Sequence, residues 1–259
     1  MGLLPRILPV GMYAGRARVL VERSLLVNRR TWLAVVSGFC EPLFFLVAMG
    51  VGFGSLVGDV PGPAGPVSFV AFVAPALLAA SAMNGAMYDA TFNIFFKFKY
   101  ARLYQAMLAT PLGPIDVAVG EITWALLRGG LYAAGFLTVM LAMGLVASPW
   151  ALLALPAALL VAFSFAAVGM ACTTFMRSWQ DFDLIQLVLM PMFLFSTTFF
   201  PLTVYPGFVR LVVECLPLYQ AIELMRKLCA GAVGVGLLGH VAYLVVMGGM
   251  GVVVATRRL

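Results

Sequence analysis

Two ionisable residues of opposite charge lie inside apolar stretches, where an unpaired charge is costly and often marks a function. Glu41 lies about ten residues past the start of the first such stretch, and Arg128 lies about ten past the start of the third. At ~1.5 Å rise per residue, both are ~15 Å deep. We expect a structural ion pair; lining a path for transported molecules, or separate partners and water, are the alternatives. Asp89 and Glu121, nearer the stretch ends, are expected to be interfacial anchors or partner contacts.

The sequence offers no constellation of residues for catalysis. Its one histidine, His240, cannot by itself build a His-based metal cluster or a Ser/His/Asp triad. The sequence also has no GxxxxGK[ST] loop, the motif that cradles nucleotide phosphates. We therefore expect no enzyme activity, no catalytic residue, no metal and no cofactor on this chain. For His240 we expect a packed or interhelically bonded side chain.

Composition identifies the bilayer as the solvent of this chain. Apolar residues make up 63% and charged residues 10%, and the mean hydropathy is +1.06. A membrane-spanning helix needs ~20 mostly apolar residues. The sequence therefore predicts an all-α polytopic membrane protein that forms a single domain, residues 1–259. Its lead-in is 1–30, and its core of 31–259 has six spans near 31–57, 68–91, 118–146, 150–175, 182–200 and 233–255.

The distribution of basic residues predicts the topology, because Lys and Arg in short loops favour the cytoplasmic side. They precede the first span and follow the second, the fourth and the sixth: Arg6, Arg16, Arg18, Arg23, Arg29, Arg30, Lys97, Lys99, Arg102, Arg177, Arg257 and Arg258. Both termini are therefore expected in the cytoplasm. The net charge of +6 is explained by this pattern, and we expect no nucleic-acid partner.

Three segments outside the spans have helical patterns. Residues 11–30 mix apolar and basic residues, as in a helix on the cytoplasmic interface; a solvated lead-in is the alternative. Residues 100–109 form an amphipathic helix that docks in a partner groove or lies on the bilayer, with an apolar face of Tyr100, Leu103, Tyr104 and Met107. Residues 201–232 predict a helical hairpin, broken at Leu216 and Pro217, that dips into the outer face; a plain external loop is the alternative.

The external segment contains two cysteines, Cys215 and Cys229, in a compartment where disulfides can form. A bridge requires their Cα atoms to lie within ~7 Å. If the second piece is continuously helical, Cys229 lies ~16 Å from its start. The geometry therefore favours two free thiols.

The fifth span is rich in side chains that could offer an adaptable wall to an apolar substrate: Met190, Met192, Phe193, Phe195, Phe199 and Phe200. Lipid contact or core packing is the alternative reading of the same residues.

Several stretches resemble permeases of type-2 ATP-binding-cassette exporters. They are EPLFFLVAMGVGFG in the first span, VAFVAPALLAASAM in the second, MLATPLGPIDVAVGEITWA after it, and STTFFPL followed by LPLYQAIELMR. Their order and spacing resemble most the subgroup that includes nodulation lipo-oligosaccharide permeases and daunorubicin-resistance permeases. The resemblance covers nearly the whole chain.

This resemblance implies a six-helix permease of the bacterial inner membrane that dimerises with a second copy or a paralogue. It couples to separate cytoplasmic ATPases, which bind ATP and Mg. By this resemblance, residues 100–109 are the coupling helix, and the external segment forms re-entrant helices over the exit of the transport path. Spans two and five border the central cavity, which adds Met83, Asn84 and Met87 to the candidate substrate path. A mid-span amide such as Asn84 needs a hydrogen-bond partner.

The function expected from the sequence is therefore export of an amphipathic molecule: a drug, as in antibiotic resistance, a lipid or a lipid-linked saccharide. The alternatives are a membrane scaffold or assembly subunit that does not transport, and, less favoured, a channel or ion-coupled carrier. The absence of a visible internal repeat and of a charged pore stripe argues against the last.

Overall fold

The computed structural model describes residues 17–28, 32–100, 107, 109 and 112–258, and nearly all of them are helical. Helix formation follows from the composition, because in lipid every backbone N–H and C=O must find a partner within the protein. The helices are α1 Ala17–Asn28, α2 Trp32–Val57, α3 Phe69–Tyr88, α4 Pro114–Ala142, α5 Ala154–Phe175, α6 Asp181–Phe195, α7 Gly207–Glu214, α8 Pro217–Ala230 and α9 Gly236–Arg258.

Four helical stretches of the described chain are long and apolar enough to cross a membrane: Phe69–Asn93, Ile115–Ala142, Pro149–Phe175 and Gly236–Arg258. They confirm an all-α polytopic membrane protein. The other two predicted spans correspond to α2, whose described apolar part is Leu43–Gly54, and to α6. The 15 residues of α6 extend ~22 Å, short of a ~30 Å hydrocarbon core. The six-span count therefore stays a prediction.

Helix α5 lies at the centre of the molecule and packs against α3, α4 and α9. Its contact with α9 is close because α9 presents glycine there. A Cβ atom on Gly251 would lie 2.7 Å from the carbonyl carbon of Ala167, and one on Gly248 would lie 2.5 Å from Cε1 of Phe163. The hydroxyl of Ser164 also donates to the Leu244 carbonyl across this interface, at 2.7 Å. Small residues and interhelical hydrogen bonds are how membrane helices associate.

The second predicted span, 68–91, corresponds to the apolar stretch Phe69–Asn93, and helical structure continues beyond it to Tyr100. After α3 the chain forms two π-helical turns, Asp89–Asn93 and Phe96–Tyr100. A π turn displaces backbone groups from the regular α-helical ladder. The Thr173 hydroxyl on α5 donates to the Ala90 carbonyl at 3.0 Å, which anchors the first turn to the core.

A short β-hairpin joins α2 to α3, in a part of the sequence that is rich in Gly and Pro. Strand β1, Asp59–Gly62, pairs antiparallel with β2, Gly65–Ser68. Proline lacks the N–H that ladders need and so weakens strand signals, yet Pro61 and Pro66 lie opposite each other. Gly65 has φ +128°, a conformation that favours glycine.

The external segment forms the predicted pair of helices, α7 and α8, which meet at Cys215 and Leu216. Pro217 begins α8, and Gly231 ends it with φ +77° in a left-handed cap. One face of α8 packs on α3 and α9. The structure thus confirms the helical hairpin; its immersion in the outer membrane face stays a prediction. At the other end of the chain, α1 packs against α4.

Candidate functional site

An ion pair between Asp89 and Arg128 is buried between the π-helical turn after α3 and helix α4. Nη1 of Arg128 lies 2.7 Å from Oδ1 of Asp89, and the Asp89 side chain is 4% exposed. Asn93 donates to the same oxygen at 2.5 Å, and Nη2 of Arg128 donates to the Tyr132 hydroxyl at 3.1 Å. Among the residues that the structure describes, no hydrogen-bond partner is present for Oδ2 of Asp89 or for Nε of Arg128. These two atoms are where water would be expected.

This pair corrects the expectation that Asp89 is a boundary anchor or partner contact. The physical reason is the length of the helices: helical structure continues beyond the second span to Tyr100, and α4 begins at Pro114 rather than at 118. Both extensions place Asp89 and Arg128 at the same level. The side chain of Glu41 lies outside the described residues, so the Glu41–Arg128 pair stays a prediction.

A second ion pair joins the next π-helical turn, Phe96–Tyr100, to α4. Nζ of Lys97 lies 2.6 Å from Oε2 of Glu121, whose side chain is 5% exposed. Glu121 therefore pairs with a residue of the same chain, and its predicted position at the membrane interface stays a prediction. Together the two pairs tie the π-helical extension to α4 at two levels.

An aromatic cluster surrounds the same extension and reaches the start of α6. Phe92 stacks on Phe182 with ring centroids 4.1 Å apart, Phe95 meets Phe182 edge-on at 5.2 Å, and Trp179 lies 5.2 Å from Phe182. Sequence reasoning missed this cluster. The signal that could have found it is FNIFFKFKY in residues 92–100 followed by the WQDF of residues 179–182.

The predicted coupling segment begins where this cluster ends. Tyr100 is 58% exposed, stacks on Phe96 at 5.7 Å and lies 6.0 Å from Trp179. Met107 is helical and buried. Leu103 and Tyr104 lie outside the described residues, so the shared apolar face of the four residues stays a prediction.

The residues of the candidate substrate path include both buried and exposed side chains. Met83 and Met87 are buried in the protomer core, whereas Asn84 between them is exposed. In α6, Met190 and Phe195 are 61% and 50% exposed. These three exposed side chains are available to a substrate, lipid or partner.

Phe193 and Phe199, the other candidates of this set, are half-buried and pack around Phe45 of α2. Their ring centroids lie 6.2 Å and 5.7 Å from that of Phe45. Their rings also meet edge-on at 5.5 Å. These contacts fit the alternative that Phe193 and Phe199 are core-packing residues.

Arg226 is a buried cation on α8. Its side chain is 4% exposed and lies 3.4 Å from Oε1 of Glu223, three residues earlier on the same helix. Its other donors reach the carbonyls of Phe72, Thr197 and Thr198 and the hydroxyl of Thr197. Burial lowers the pKa of Arg226 to about 10, so the guanidinium stays charged at neutral pH.

The hydrogen-bond acceptors around Arg226 explain why an arginine is buried at this position. Helix α6 ends at Phe195, and the next residues are irregular, fully buried, and include Thr197 at φ +61°. Irregular backbone at membrane depth needs partners from the protein. The planar fork of arginine supplies several donors at once, and Arg226 thereby holds α8 to the broken end of α6.

His240 is bonded between helices, as predicted. Its Nδ1 lies 2.5 Å from Oε1 of Gln220 and its Nε2 lies 2.8 Å from Nζ of Lys227, both on α8. An amide oxygen only accepts and an ammonium only donates. The neutral tautomer with its proton on Nδ1 satisfies both contacts.

The two cysteines of the segment predicted to be external are free in the structure. Cys215 is exposed at the end of α7 and Cys229 is buried in α8. Burial raises the pKa of the Cys229 thiol to about 12.

Comparison with known proteins identifies the class that this architecture defines. Residues 16–229 match the family described as ABC-2 type transporter. The match covers most of the chain, including the ion pairs, the predicted coupling segment and nearly all of α7 and α8. The chain therefore belongs to the ABC-2 type transporter family of membrane permeases, as the motifs predicted.

Within this family the chain is similar to Nodulation protein J of several rhizobia. It is 33% identical to that of Rhizobium leguminosarum bv. trifolii over 225 residues, which cover 86% of this chain and 84% of the relative. For Rhizobium leguminosarum bv. viciae the identity is 32%, with coverage of 81% and 80%, and for Rhizobium meliloti (strain 1021) it is 30%, with 82% and 80%. These comparisons support the predicted nodulation subgroup.

Proposed function

We propose that this permease forms the membrane part of an ATP-driven exporter that moves an amphipathic molecule out of the cytoplasm or the inner leaflet. The observation that carries the proposal is the family match over residues 16–229, joined to a helical fold without a nucleotide-binding loop in its sequence. ATP and Mg belong to a separate cytoplasmic ATPase in this proposal. The protein resides in the bacterial inner membrane with both termini in the cytoplasm.

The cytoplasmic end of α3 supports the coupling part of the proposal. The Asp89–Arg128 and Lys97–Glu121 pairs and the cluster around Phe182 join the π-helical extension to α4 and to the start of α6. A push on residues 100–109 would be passed to three helices together. This is the mechanical property that a coupling segment needs.

We place the proposed second copy or paralogue at the exposed apolar surface of α6. Leu184, Leu187, Val188 and Met190 are 61–69% exposed. Lipid covers such a surface as well as protein does. In the proposed dimer, Asn84 and Met190 face the path between two copies.

The coupling segment is tested with Tyr104→Asp and with Leu103→Asp, each beside a Tyr104→Phe control. An apolar face docked in a protein groove does not tolerate an unpaired carboxylate. We expect both Asp variants to insert normally, to lose co-purification with the partner ATPase of this proposal, and to lose substrate-stimulated ATP hydrolysis in proteoliposomes. Wild-type behaviour of both Asp variants would remove the segment from the interface.

The substrate class is tested by ATP hydrolysis of the same complex with three probes: an anthracycline, phosphatidylglycerol and an undecaprenyl-linked oligosaccharide. We expect stimulation by an amphiphile, and transport of that amphiphile into the vesicle lumen. Stable association with an ATPase whose hydrolysis responds to none of the three, and which moves none of them, would favour the scaffold alternative.

A further inference from the structure

A pocket of about 320 Å³ opens on the side of the molecule formed by the β-hairpin, the segment after α6 and the C-terminal part of α8. This volume is at the lower end of small-molecule sites and suits a headgroup rather than an acyl chain. The topology proposed above places the opening on the outer face of the membrane, and the inference below rests on that topology.

One part of the pocket wall is rigid and apolar. Pro61 and Pro63 come from the β-hairpin, and Pro201 and Leu202 follow α6. Proline has a fixed φ and little conformational freedom to lose on binding. Phe72 forms the floor, with the Arg226 guanidinium 3.7 Å from the centre of its ring.

The charged lining contains two cations, Arg226 and Lys227, and one anion, Glu223. Arg226 is compensated by Glu223 and by the carbonyls that it binds. Lys227 instead lies against the neutral imidazole of His240, which takes one of its three donors. Of the two ion pairs that the structure gives the described part of this hairpin, Arg226–Glu223 and Arg210–Glu214, neither includes Lys227.

We propose that this pocket binds the anionic headgroup of an amphipathic molecule, a phosphate or carboxylate ester, through Lys227. The hydroxyl of Thr203, at the same wall, supplies a neutral donor. The headgroup belongs either to an outer-leaflet phospholipid or to the exported molecule, and both share this chemistry.

The test uses the full chain in phosphatidylcholine nanodiscs, with glycerol 3-phosphate as the probe and glycerol as its uncharged counterpart. Saturation-transfer NMR measures binding of each. We expect glycerol 3-phosphate to bind and Lys227→Met to weaken it at least about tenfold, because a charge-assisted hydrogen bond is lost. Lys227→Arg, which keeps the charge, is expected to retain binding and shows that the site tolerates substitution.

Arg210→Met is the matched control, because it removes one cation from the same hairpin at an exposed site outside the pocket. We expect it to leave the affinity for glycerol 3-phosphate within about twofold of the wild type. Equal losses in the Lys227→Met and Arg210→Met variants would show that the probe senses only the general surface charge. That result, or wild-type binding by Lys227→Met, would overturn the proposal.

Phosphatidylglycerol in the nanodisc distinguishes the two sources. Competition with the probe in the wild type identifies the lipid headgroup as a ligand, whereas binding of the probe without competition points to the exported molecule. Neither measurement involves an ATPase or ATP. Failure of export therefore leaves this inference standing, and failure of anion binding leaves the exporter proposal standing.

Discussion

At the scale of single residues, Arg128 and Arg226 each bind groups on a neighbouring element, yet their partners differ. Arg128 depends mainly on one carboxylate, Asp89, and its Nε has no partner among the described contacts. Arg226 binds three backbone carbonyls, one hydroxyl and one carboxylate. Substitution of Arg128 should therefore mainly affect a carboxylate, whereas substitution of Arg226 should mainly affect backbone carbonyls.

For the first arginine we expect non-additive stability losses with Asp89. Asp89→Asn and Arg128→Gln should each lower the free energy of unfolding by about 3 kcal/mol, because each leaves a buried charge uncompensated. The double variant should lose less than the sum. Thermal unfolding in detergent, analysed as a double-mutant cycle, measures the interaction.

The same cycle with Glu41→Gln decides the partner predicted from the sequence. A coupling energy between Arg128 and Glu41 that equals or exceeds the one with Asp89 would make Glu41 the dominant partner. Additive losses with Asp89 would contradict the ion pair that the structure shows.

For the second arginine we expect Arg226→Lys to be nearly as damaging as Arg226→Met, at about 2–4 kcal/mol. A lysine ammonium cannot reach the acceptors around Thr197 with the planar fork of a guanidinium. Hydrogen exchange of residues 196–200 should rise together with the loss of stability. Arg210→Lys, at an exposed pair, is the control and should change stability by less than about 0.5 kcal/mol.

The two external thiols should react at different rates. Without reductant, Cys215 should be alkylated within minutes in the folded protein, because it is exposed. Cys229 should be labelled only after unfolding, because it is buried and its pKa of about 12 leaves little thiolate. Mass spectrometry after each step measures both, and a linked Cys215–Cys229 peptide would refute the prediction of two free thiols.

At the scale of helices, the contact between α5 and α9 is set by two glycines. Backbone atoms of α5 occupy the space where a side chain on Gly251 would lie. Gly249, two residues away, has no atom within 4 Å of its added Cβ. The pair thus offers a matched comparison within one helix.

We expect Gly251→Ala to lower the thermal unfolding midpoint by several degrees, since the clash is with backbone at 2.7 Å and costs about 1–3 kcal/mol. Gly249→Ala should be neutral or slightly stabilising, because alanine favours the helix. Equal unfolding midpoints for the two variants would mean that α9 can shift on α5 without a loss of stability.

At the scale of the whole molecule, the sequence predicted the architecture well because apolar length and loop charge have direct physical meaning. The helices of spans two, three, four and six and the two pieces of the external hairpin lie where those patterns placed them. The errors were at the ends. An apolar run does not show that a helix continues past the bilayer, as after residue 91, and prolines concealed the hairpin of Asp59–Gly62 and Gly65–Ser68.

The candidate site was less predictable because its contacts join elements distant in sequence. Asp89 and Arg128 are 39 residues apart, and Arg226 is 154 residues from Phe72. No local spacing rule links such pairs. His240, by contrast, was predictable as an interhelical partner, since a single polar ring in a span must find a donor or acceptor.

The packing of α9 on α5 also sets an order of events during synthesis. Helix α5 ends at Phe175 and α9 begins at Gly236. At 5–20 residues per second, the ribosome needs roughly 3–12 s to make the intervening stretch. Throughout that interval, the surface of α5 that later receives the glycines faces lipid or the insertion machinery. Insertion of the first helices and packing of α9 on α5 are therefore separate stages. A nascent chain that stalls before α9 has an incompletely packed core and is a substrate for quality-control proteases.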